Sequence, residues 1–155
     1  MPYQPKGVWS VVYSGASWKI SKGEDQYRRG LYTYWRRTSP YPAMETFDMP
    51  SREVCSTRRL RTNTPLQALV TLNDPAYIEM ANHLGQRMKN FKGDFSQKIN
   101  HGFELLLVRQ AQKEEIELIK KLYDKTLKSK AGKEHEVWTV LGNILLNLDE
   151  TINKI

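Results

Sequence analysis

Two helix starts lie ten residues apart in the middle of the chain, at Thr64-Pro65-Leu66-Gln67 and at Asp74-Pro75. In the first, the Thr64 hydroxyl can accept the Gln67 amide hydrogen while the Gln67 side chain reaches back to the Thr64 amide. In the second, Asp74 can act as the cap, and Pro75 takes the first helical position, where a missing N–H costs nothing. The chain is therefore predicted to be helical from residue 64 onwards.

Apolar residues recur at helical spacing through the rest of the sequence. The predicted stripes are Tyr77, Ala81, Leu84 and Met88; Phe95, Ile99, Phe103 and Leu107; Ile116, Ile119, Leu122, Tyr123 and Leu127; and Val137, Val140, Leu141, Ile144, Leu145 and Leu148. Asp94 and Gln97 repeat the capping pattern. We predict a mainly α fold, in which residues 64–155 form a small antiparallel bundle of about four helices plus one short helix.

Residues 1–63 are predicted to form an arm rich in arginine and aromatic side chains. The aromatic stretches 18–20 and 31–35, separated by a polar segment, allow a short β-hairpin. Ser39-Pro40-Tyr41-Pro42 and Met49-Pro50 interrupt regular structure, so residues 36–62 are expected to be irregular. An irregular segment of that length is typical of a functional loop or of an arm that belongs to a larger interface.

The net charge of +7 is concentrated in the first half of the chain. Residues 1–73 hold 11 Lys+Arg against 5 Asp+Glu, whereas residues 74–155 hold 13 against 12. Eight of the ten arginines lie between Arg28 and Arg61. No apolar run approaches the roughly 20 residues of a spanning helix, and the first residues lack the apolar core of a signal peptide. The two halves are therefore expected to have different roles.

Three arginines stand just before the helix start at Thr64, where unpaired amides and the helix dipole favour an anion. We interpret this arrangement as a pocket for phosphate, sulfate or carboxylate. The alternative is that the arginines pair with Asp48, Glu53 and Asp74 and only fasten the irregular segment. The residues assigned to the pocket are Arg28, Arg36, Arg58, Arg59, Arg61, Asn63, Thr64 and Gln67.

Two arginine pairs, at 28–29 and 36–37, flank the aromatic residues Tyr32, Tyr34 and Trp35. Such interleaving suits sugars that carry acidic groups, or single-stranded nucleic acid, because rings stack and guanidinium groups fork. The alternative is that the rings are core anchors and the arginines add solubility. Nucleic acid is disfavoured because no helix-turn-helix, zinc finger or RNP-like run is present.

The sequence offers few parts for catalysis. It has no Gly-x-Ser-x-Gly, phosphate-binding loop, His-Glu-x-x-His or dinucleotide fingerprint. Cys55 is the only cysteine and is interpreted as a small core residue. The three histidines are scattered, so neither a metal nor a cofactor is assigned. If the chain belongs to an enzyme, Asp48 or Asp74 could supply an acid or a base; no residue is assigned as catalytic.

Residues 27–38, 46–55 and above all 61–75 resemble one known family, the planctomycete-type domain of unknown function found in large exported proteins that often also carry a cytochrome c-like domain. The segments around 107–109 and 145–150 resemble the tail of that family. Where the family usually has proline after the position of Arg109, this chain has Gln110-Ala111. The run Cys-x-x-Cys-His is absent, so no haem is assigned.

The resemblance implies no established activity. It implies an exported parent protein, in the periplasm or at the cell surface, and an association with polysaccharide breakdown and sulfatases. An acidic or sulfated glycan is therefore the ligand that it suggests. The family's domain extends upstream, so this chain is expected to be an incomplete domain whose partner is the missing part of its parent. We accordingly expect a docking or anion-binding module, with a fragment of a polysaccharide-active enzyme as the alternative and a nucleic-acid binder third.

Overall fold

The computed structural model describes residues 1–9, 17–51, 53–58 and 62–153. Two compact units divide the chain, Met1–Thr62 and Asn63–Ile155. The predicted mainly α fold is confirmed, because every regular element in the described ranges is a helix. None of the helices in these ranges has both the length and the apolar character that crossing a membrane requires.

The first unit contains one short α-helix and two 3-10 turns. The helix α1 spans Pro42–Thr46 and begins with a proline, which needs no partner for a backbone N–H at that position. The 3-10 turns cover Gly23–Tyr27 and Gly30–Tyr32. The chain leaves α1 through Asp48, whose φ of 57° lies in the left-handed region.

The β-hairpin that the sequence allows is not formed in the described residues, and this part of the prediction is corrected. Residues 18–20 have no regular structure, and the second aromatic stretch begins within the 3-10 turn Gly30–Tyr32. The amides of Tyr32 and Thr33 donate to the carbonyls of Arg29 and Gly30, at 2.9 and 3.1 Å. These local bonds use the groups that a strand would offer to a neighbour, so β propensity does not decide the outcome.

Aromatic rings hold the first unit together. Trp9 meets Trp18 and Tyr34 edge to face, with ring centroids 5.1 and 5.8 Å apart, and Trp18 stacks on Tyr41 at 5.5 Å. Each ring also ties down the backbone: the indole N–H of Trp9 donates to the Ser39 carbonyl at 3.1 Å, and that of Trp18 to the Pro2 carbonyl at 2.8 Å. The rings that anchor this unit are therefore Trp9 and Trp18, whereas Tyr32 and Tyr34, which the predicted alternative takes as core anchors, are 67% and 59% exposed.

Six helices make up the second unit. They are α2 (Pro65–Asn73), α3 (Pro75–Asn90), α4 (Phe95–Leu107), α5 (Lys113–Ser129), α6 (Glu134–Leu146) and α7 (Asp149–Ile152). Four of these are long and α2 is short, as predicted; the single turn α7 is an addition. The capping side chains fix the starts: Gln67 and Thr64 bond each other's amides at 2.9 and 3.2 Å, and Asp74 accepts the Ala76 amide at 2.8 Å.

The closest packing in the second unit is between α3 and α6. A methyl group added at Gly85 would overlap the Trp138 carbonyl, and one added at Gly142 would overlap the Ala81 carbonyl. The two backbones therefore approach so closely that hydrogen is the only side chain with room at these two positions. This contact fixes the position of α6 against α3.

An apolar core lies around this contact. Its buried members are Leu84, Met88, Ile99, Phe103, Ile119, Trp138, Leu141 and Leu145. All but Trp138 belong to the predicted stripes. Trp138 is 2% exposed, and its indole N–H donates to the Glu134 carboxylate at 3.1 Å, so the ring is buried without leaving its polar atom unsatisfied.

The helix α2 packs against the rest of the second unit through polar side chains. Gln67 and Thr71 are each 1% exposed. The Thr71 hydroxyl donates to the Asn147 side-chain oxygen at 2.7 Å, and the Asn143 amide donates to the Thr71 carbonyl at 3.4 Å. The leucines of α2 consequently lie on its outer side.

Candidate functional site

The residues predicted for the anion pocket are distributed over both units. Arg28, Arg36 and Arg58 belong to the first unit, whereas Asn63, Thr64 and Gln67 belong to the second. Arg59 and Arg61 lie outside the described residues. Their assignment stays a prediction.

The start of α2 uses most of its own hydrogen-bond donors. The capping box occupies the amides of Thr64 and Gln67, and Pro65 has no N–H. Asn63 is occupied too, because its side-chain amide donates to Asp149 at 2.5 Å. In the first turn this leaves the Leu66 amide for an outside anion, whereas a binding site at a helix start normally presents several. Thr64 and Gln67 therefore cap α2, and Asn63 bonds Asp149; the assignment of these three residues to an anion pocket stays a prediction.

Arg36 lies against the aromatic rings of the first unit. Its guanidinium carbon is 4.9 Å from the centroid of the Trp9 ring. A guanidinium group over an indole face is an attractive cation–π contact. Arg36 is partly buried, so its contact with Trp9 contributes to the packing of the unit.

The two aspartates considered as acid or base have structural partners. Asp48 accepts the Thr62 amide at 2.8 Å and the Thr62 hydroxyl at 2.9 Å. Asp74 caps α3 through the Ala76 amide. Burial, and to a lesser degree the negative charge of Asp74, raises the pKa of Tyr77. In the described residues Asp48 closes a loop and Asp74 caps a helix.

Arg58 is exposed, and so is Cys55 three residues before it. The interpretation of Cys55 as a core residue is wrong, because the irregular segment around it does not enter an apolar core. In the described part of the first unit, Arg58 forms no ion pair with Asp48 or Glu53. The alternative in which these carboxylates fasten Arg58 is therefore not realised there.

A cleft in the first unit combines the remaining predicted arginine with an aromatic ring. It has a volume of about 450 Å³ and is lined by Met1, Ser21, Asp25, Arg28 and Tyr32. Tyr32 is 67% exposed, so its ring is available to a ligand. We call this the Arg28–Tyr32 cleft.

Asp25 orients the guanidinium group of this cleft. The Arg28 Nε donates to the Asp25 carboxylate at 3.0 Å, three residues away along the 3-10 turn. Within the residues that the structure describes, the two terminal nitrogens of Arg28 have no protein partner. They can therefore donate side by side to a planar anion. Sequence reasoning missed Asp25 and Ser21; the spacing Asp25…Arg28 was the available signal for the first.

More exposed aromatic and basic side chains adjoin the cleft in sequence. Tyr27, Leu31 and Tyr34 are exposed large hydrophobic residues, and Arg29 and Arg37 are exposed as well. The described ranges contain no group of three or more His, Cys, Asp or Glu side chains placed to hold a metal ion. The chemistry of this surface is thus ring stacking combined with guanidinium charge.

The sequence model of one protein family, described as a protein of unknown function (DUF1553), matches residues 1–123. The chain belongs to this family. The matched residues include the whole first unit and the second unit as far as α5, and the resemblance seen in the three quoted stretches is confirmed. A search of curated proteins and a search of solved structures found no match.

Membership of the family gives no reaction, because its description states none. The link after Arg109 is held by hydrogen bonds of its own. The Ala111 amide donates to the Asn100 side chain at 3.0 Å, and the Gln110 carbonyl accepts from Arg109 at 3.0 Å. A proline at position 111 could not donate the first of these bonds.

Arg109 itself is the most heavily bonded cation in the described residues. It forms a two-pronged ion pair with Glu115, with both distances 2.9 Å, and a second pair with Glu150 at 2.8 and 3.0 Å. Its guanidinium also lies 5.0 Å from the Phe103 ring centroid. The hydrogen bond from Arg109 is the main cause that lowers the pKa of Glu115. These contacts connect the ends of α4, α5 and α7, so Arg109 is a structural brace.

Proposed function

We propose that the first unit binds an anionic ligand of the acidic-sugar class in the Arg28–Tyr32 cleft. The observation that carries the proposal is that two side chains line the same cleft: an arginine whose terminal nitrogens have no partner among the described residues, and a largely exposed tyrosine ring. The resemblance of the chain to a family associated with polysaccharide breakdown supports the same class of ligand.

Each side chain of the cleft has a counterpart in such a ligand. The Arg28 fork matches the two oxygens of a uronic acid carboxylate or of a sulfate group. The Tyr32 ring offers an apolar face to the C–H side of a sugar ring. Asp25 and Ser21 can accept hydrogen bonds from sugar hydroxyl groups. A neutral sugar would leave the guanidinium group unused, so acidic sugars are preferred.

The experiment compares binding of a sulfated oligosaccharide, a uronic acid oligosaccharide and neutral dextran by isothermal titration calorimetry at low salt. Arg28→Ala should weaken binding of an acidic oligosaccharide about tenfold or more, because a charge-assisted bidentate contact is lost. Tyr32→Phe should bind like the parent chain, and Tyr32→Ala should bind more weakly. Arg87→Ala is the matched control, since Arg87 is an exposed arginine on α3.

Binding of dextran as tight as that of the acidic oligosaccharides would contradict the proposal. Equal losses with Arg28→Ala and Arg87→Ala would also contradict it, because they would indicate a general charge effect and no defined cleft. Affinity that falls from 50 to 200 mM salt, together with a specific loss at Arg28, is the expected pattern.

A second candidate function is docking onto the remaining part of a longer parent protein. The observation that favours it is Leu31, which is 75% exposed between the cleft residue Tyr32 and the turn at Gly30. Leu31→Ser should weaken a protein–protein contact and leave binding of an acidic oligosaccharide unchanged. Titration of this variant with the remaining part of the parent protein, and separately with an acidic oligosaccharide, distinguishes docking from ligand binding.

The proposal includes an exported parent protein, in the periplasm or at the cell surface, where acidic polysaccharides are accessible. Its support is the resemblance of residues 27–38, 46–55 and 61–75 to exported proteins. Cell fractionation with an antibody raised against this chain tests it, and a parent protein found only in the cytoplasm would contradict it.

A further inference from the structure

A second exposed tyrosine ring lies two residues beyond Tyr32. Tyr34 is 59% exposed and Tyr32 is 67% exposed, whereas Thr33 between them is 8% exposed. Thr33 has extended backbone angles, with φ of −82° and ψ of 131°. An extended residue directs its side chain away from those of its two neighbours. With Thr33 turned inward, the rings of Tyr32 and Tyr34 therefore share the outer side of the chain, and we call them the tyrosine pair.

One edge of the Tyr34 ring rests against the interior of the first unit. The ring centroid lies 5.8 Å from that of Trp9, at an interplanar angle of 68°. Trp9 is 9% exposed and is itself fixed, because its indole N–H donates to the Ser39 carbonyl at 3.1 Å. A ring that is already held in place loses little side-chain entropy when a ligand stacks on it. Tyr34 is therefore both exposed and pre-positioned, as a stacking platform requires.

The spacing of the tyrosine pair suits two consecutive rings of one ligand. The Cα atoms of Tyr32 and Tyr34 are at most about 7 Å apart, since each residue spans at most ~3.6 Å. This separation is comparable to the repeat of an oligosaccharide chain. The Arg28–Tyr32 cleft is lined by the first tyrosine of the pair and not by the second. A ligand whose acidic group lies on Arg28 must therefore extend beyond the cleft to reach Tyr34.

We infer that Tyr34 provides a second subsite, so that the first unit binds an acidic oligosaccharide over at least two consecutive sugar rings. The acidic sugar places its anionic group on Arg28 and its ring on Tyr32, and the neighbouring sugar stacks on Tyr34. The inference rests on the proposed function, which assigns the acidic sugar to the Arg28–Tyr32 cleft. It adds the length of the ligand and the residue that recognises it.

Charge in the cleft favours a sugar chain over single-stranded nucleic acid. Two rings at this spacing could also stack on bases. A nucleic acid strand, however, carries a phosphate at every residue, and the Asp25 carboxylate lies in the same cleft, 3.0 Å from the Arg28 Nε. Asp25 repels a second phosphate, whereas it can accept hydrogen bonds from the hydroxyl groups of a neutral sugar. The arrangement therefore fits one acidic group beside hydroxyl-rich rings.

The test compares glucuronic acid with two disaccharides in which one glucose is joined to either end of glucuronic acid. All of these ligands carry the same single negative charge, so a difference in affinity reports the added neutral ring. NMR titration measures the dissociation constants, since it reaches the millimolar range. One of the two disaccharides should bind about threefold to tenfold more tightly than glucuronic acid, as expected for one added stacking contact.

Variants at Tyr34 should remove that gain. Tyr34→Ala and Tyr34→Leu should bring the disaccharide to within about twofold of glucuronic acid, whereas Tyr34→Phe keeps the ring and should retain the gain. The affinity for glucuronic acid itself should be unchanged in all of these variants, which also shows that the cleft stays folded. Phe91→Ala is the matched control, because Phe91 is a 39% exposed ring of the second unit that stacks on His101.

Failure of the proposed function and failure of the second subsite give different results. If Arg28→Ala leaves the binding of glucuronic acid unchanged, the proposed function fails and the second subsite fails with it. If glucuronic acid binds in an Arg28-dependent manner but neither disaccharide binds more tightly, the proposed function stands and the second subsite is overturned.

Three further results would overturn the second subsite. The first is a gain that persists in Tyr34→Ala. The second is loss of glucuronic acid binding in Tyr34→Leu, because Tyr34 would then only support the fold of the cleft. The third is a thymidylate trimer that binds more tightly than either disaccharide and depends on both Arg28 and Tyr34, because the ligand would then be single-stranded nucleic acid.

Discussion

The two units of this chain are stabilised in different ways. The second buries eight apolar side chains in one core and begins three of its helices with aspartate or threonine caps. In the described part of the first unit, Trp9 is the one large apolar side chain that is buried. Contacts between aromatic rings, and hydrogen bonds from their indole N–H groups to the backbone, provide much of the remaining stabilisation. One unit is built around burial, and the other around a few aromatic contacts.

The difference bears on which side chains a ligand can reach. A unit with a small interior keeps more of its rings and guanidinium groups at the surface, where a ligand can reach them. In the described part of the first unit, the side chains of Tyr32 and Arg28 are largely exposed. In the second unit the comparable side chains, Trp138 and Arg109, donate hydrogen bonds to glutamates of the same unit.

Replacing a buried core residue tests whether burial of apolar side chains stabilises the second unit but not the first. Trp138→Ala should lower the free energy of unfolding of the helical unit by about 3–5 kcal/mol, because a buried indole is removed from a packed core. Denaturant titration followed by far-ultraviolet circular dichroism measures this, since the long helices all lie in the second unit.

Trp9→Ala is the control for that comparison. It should abolish the near-ultraviolet circular dichroism signal of the Trp9–Trp18 ring pair. It should change the free energy of unfolding of the helical unit by less than about 0.5 kcal/mol. If both tryptophan variants lowered the midpoint equally, the distinction between the two units would be wrong.

A smaller effect concerns acid. The pKa values of Glu115, Glu134 and Glu136 are all lowered by hydrogen-bonded partners, and all three residues lie in the second unit. A carboxyl group whose pKa is lowered on folding stabilises the fold above its unfolded pKa, and this stabilisation is lost as the pH falls through the folded pKa. The helical unit should therefore lose stability below about pH 4.5.

Arg109→Met measures the share of Glu115 in that loss. At pH 7 it should cost about 1 kcal/mol, the upper range for a partly exposed ion pair. Between pH 5 and pH 3 its unfolding free energy should fall less than that of the parent chain. Arg87→Met, at an exposed arginine of α3, should keep the full acid dependence; an identical slope in both variants would contradict the assignment to Arg109.

The smallest effect is a gain in stability. Val108 ends α4 in the left-handed region with φ of 57°, and it is 90% exposed. A β-branched residue is strained there, whereas glycine is not, so Val108→Gly should raise the unfolding free energy by about 0.5–1 kcal/mol. Thermal denaturation measures the change. Ala131→Gly, at φ of 50°, should gain less because alanine is less strained, and a loss of stability in Val108→Gly would contradict this account.

The helical half was largely predictable because its signals are local. A capping box joins residues three apart, and an apolar stripe follows the pitch of one helix, so both can be recognised without knowing the fold. Thr64, Asp74 and Asp94 start helices as predicted. Trp138 also fits the helical spacing, three residues before Leu141 and seven before Leu145, but the predicted stripe took Val137 in its place.

The features that could not be predicted from the sequence depend on residues that are distant in the chain. The polar face of α2 is buried because Asn143 and Asn147 lie about seventy residues away with matching hydrogen bonds. The hairpin prediction failed because strand propensity needs a paired neighbour, and the amides concerned bonded within their own turn. Of the predicted site, Arg28 could be placed in a cleft only once the turn that carries Asp25 was known.

The contact of α3 with α6 at Gly85 and Gly142 has a consequence for how the bundle comes apart. Where only hydrogen separates two backbones, an outward shift of about 0.5–1 Å by either helix already loses about a quarter to a half of the dispersion attraction between them. A partial separation of α3 from α6 therefore costs free energy and gains little conformational entropy. The second unit is expected to melt in a single cooperative step, with no half-opened state in which α6 has left and the other helices persist.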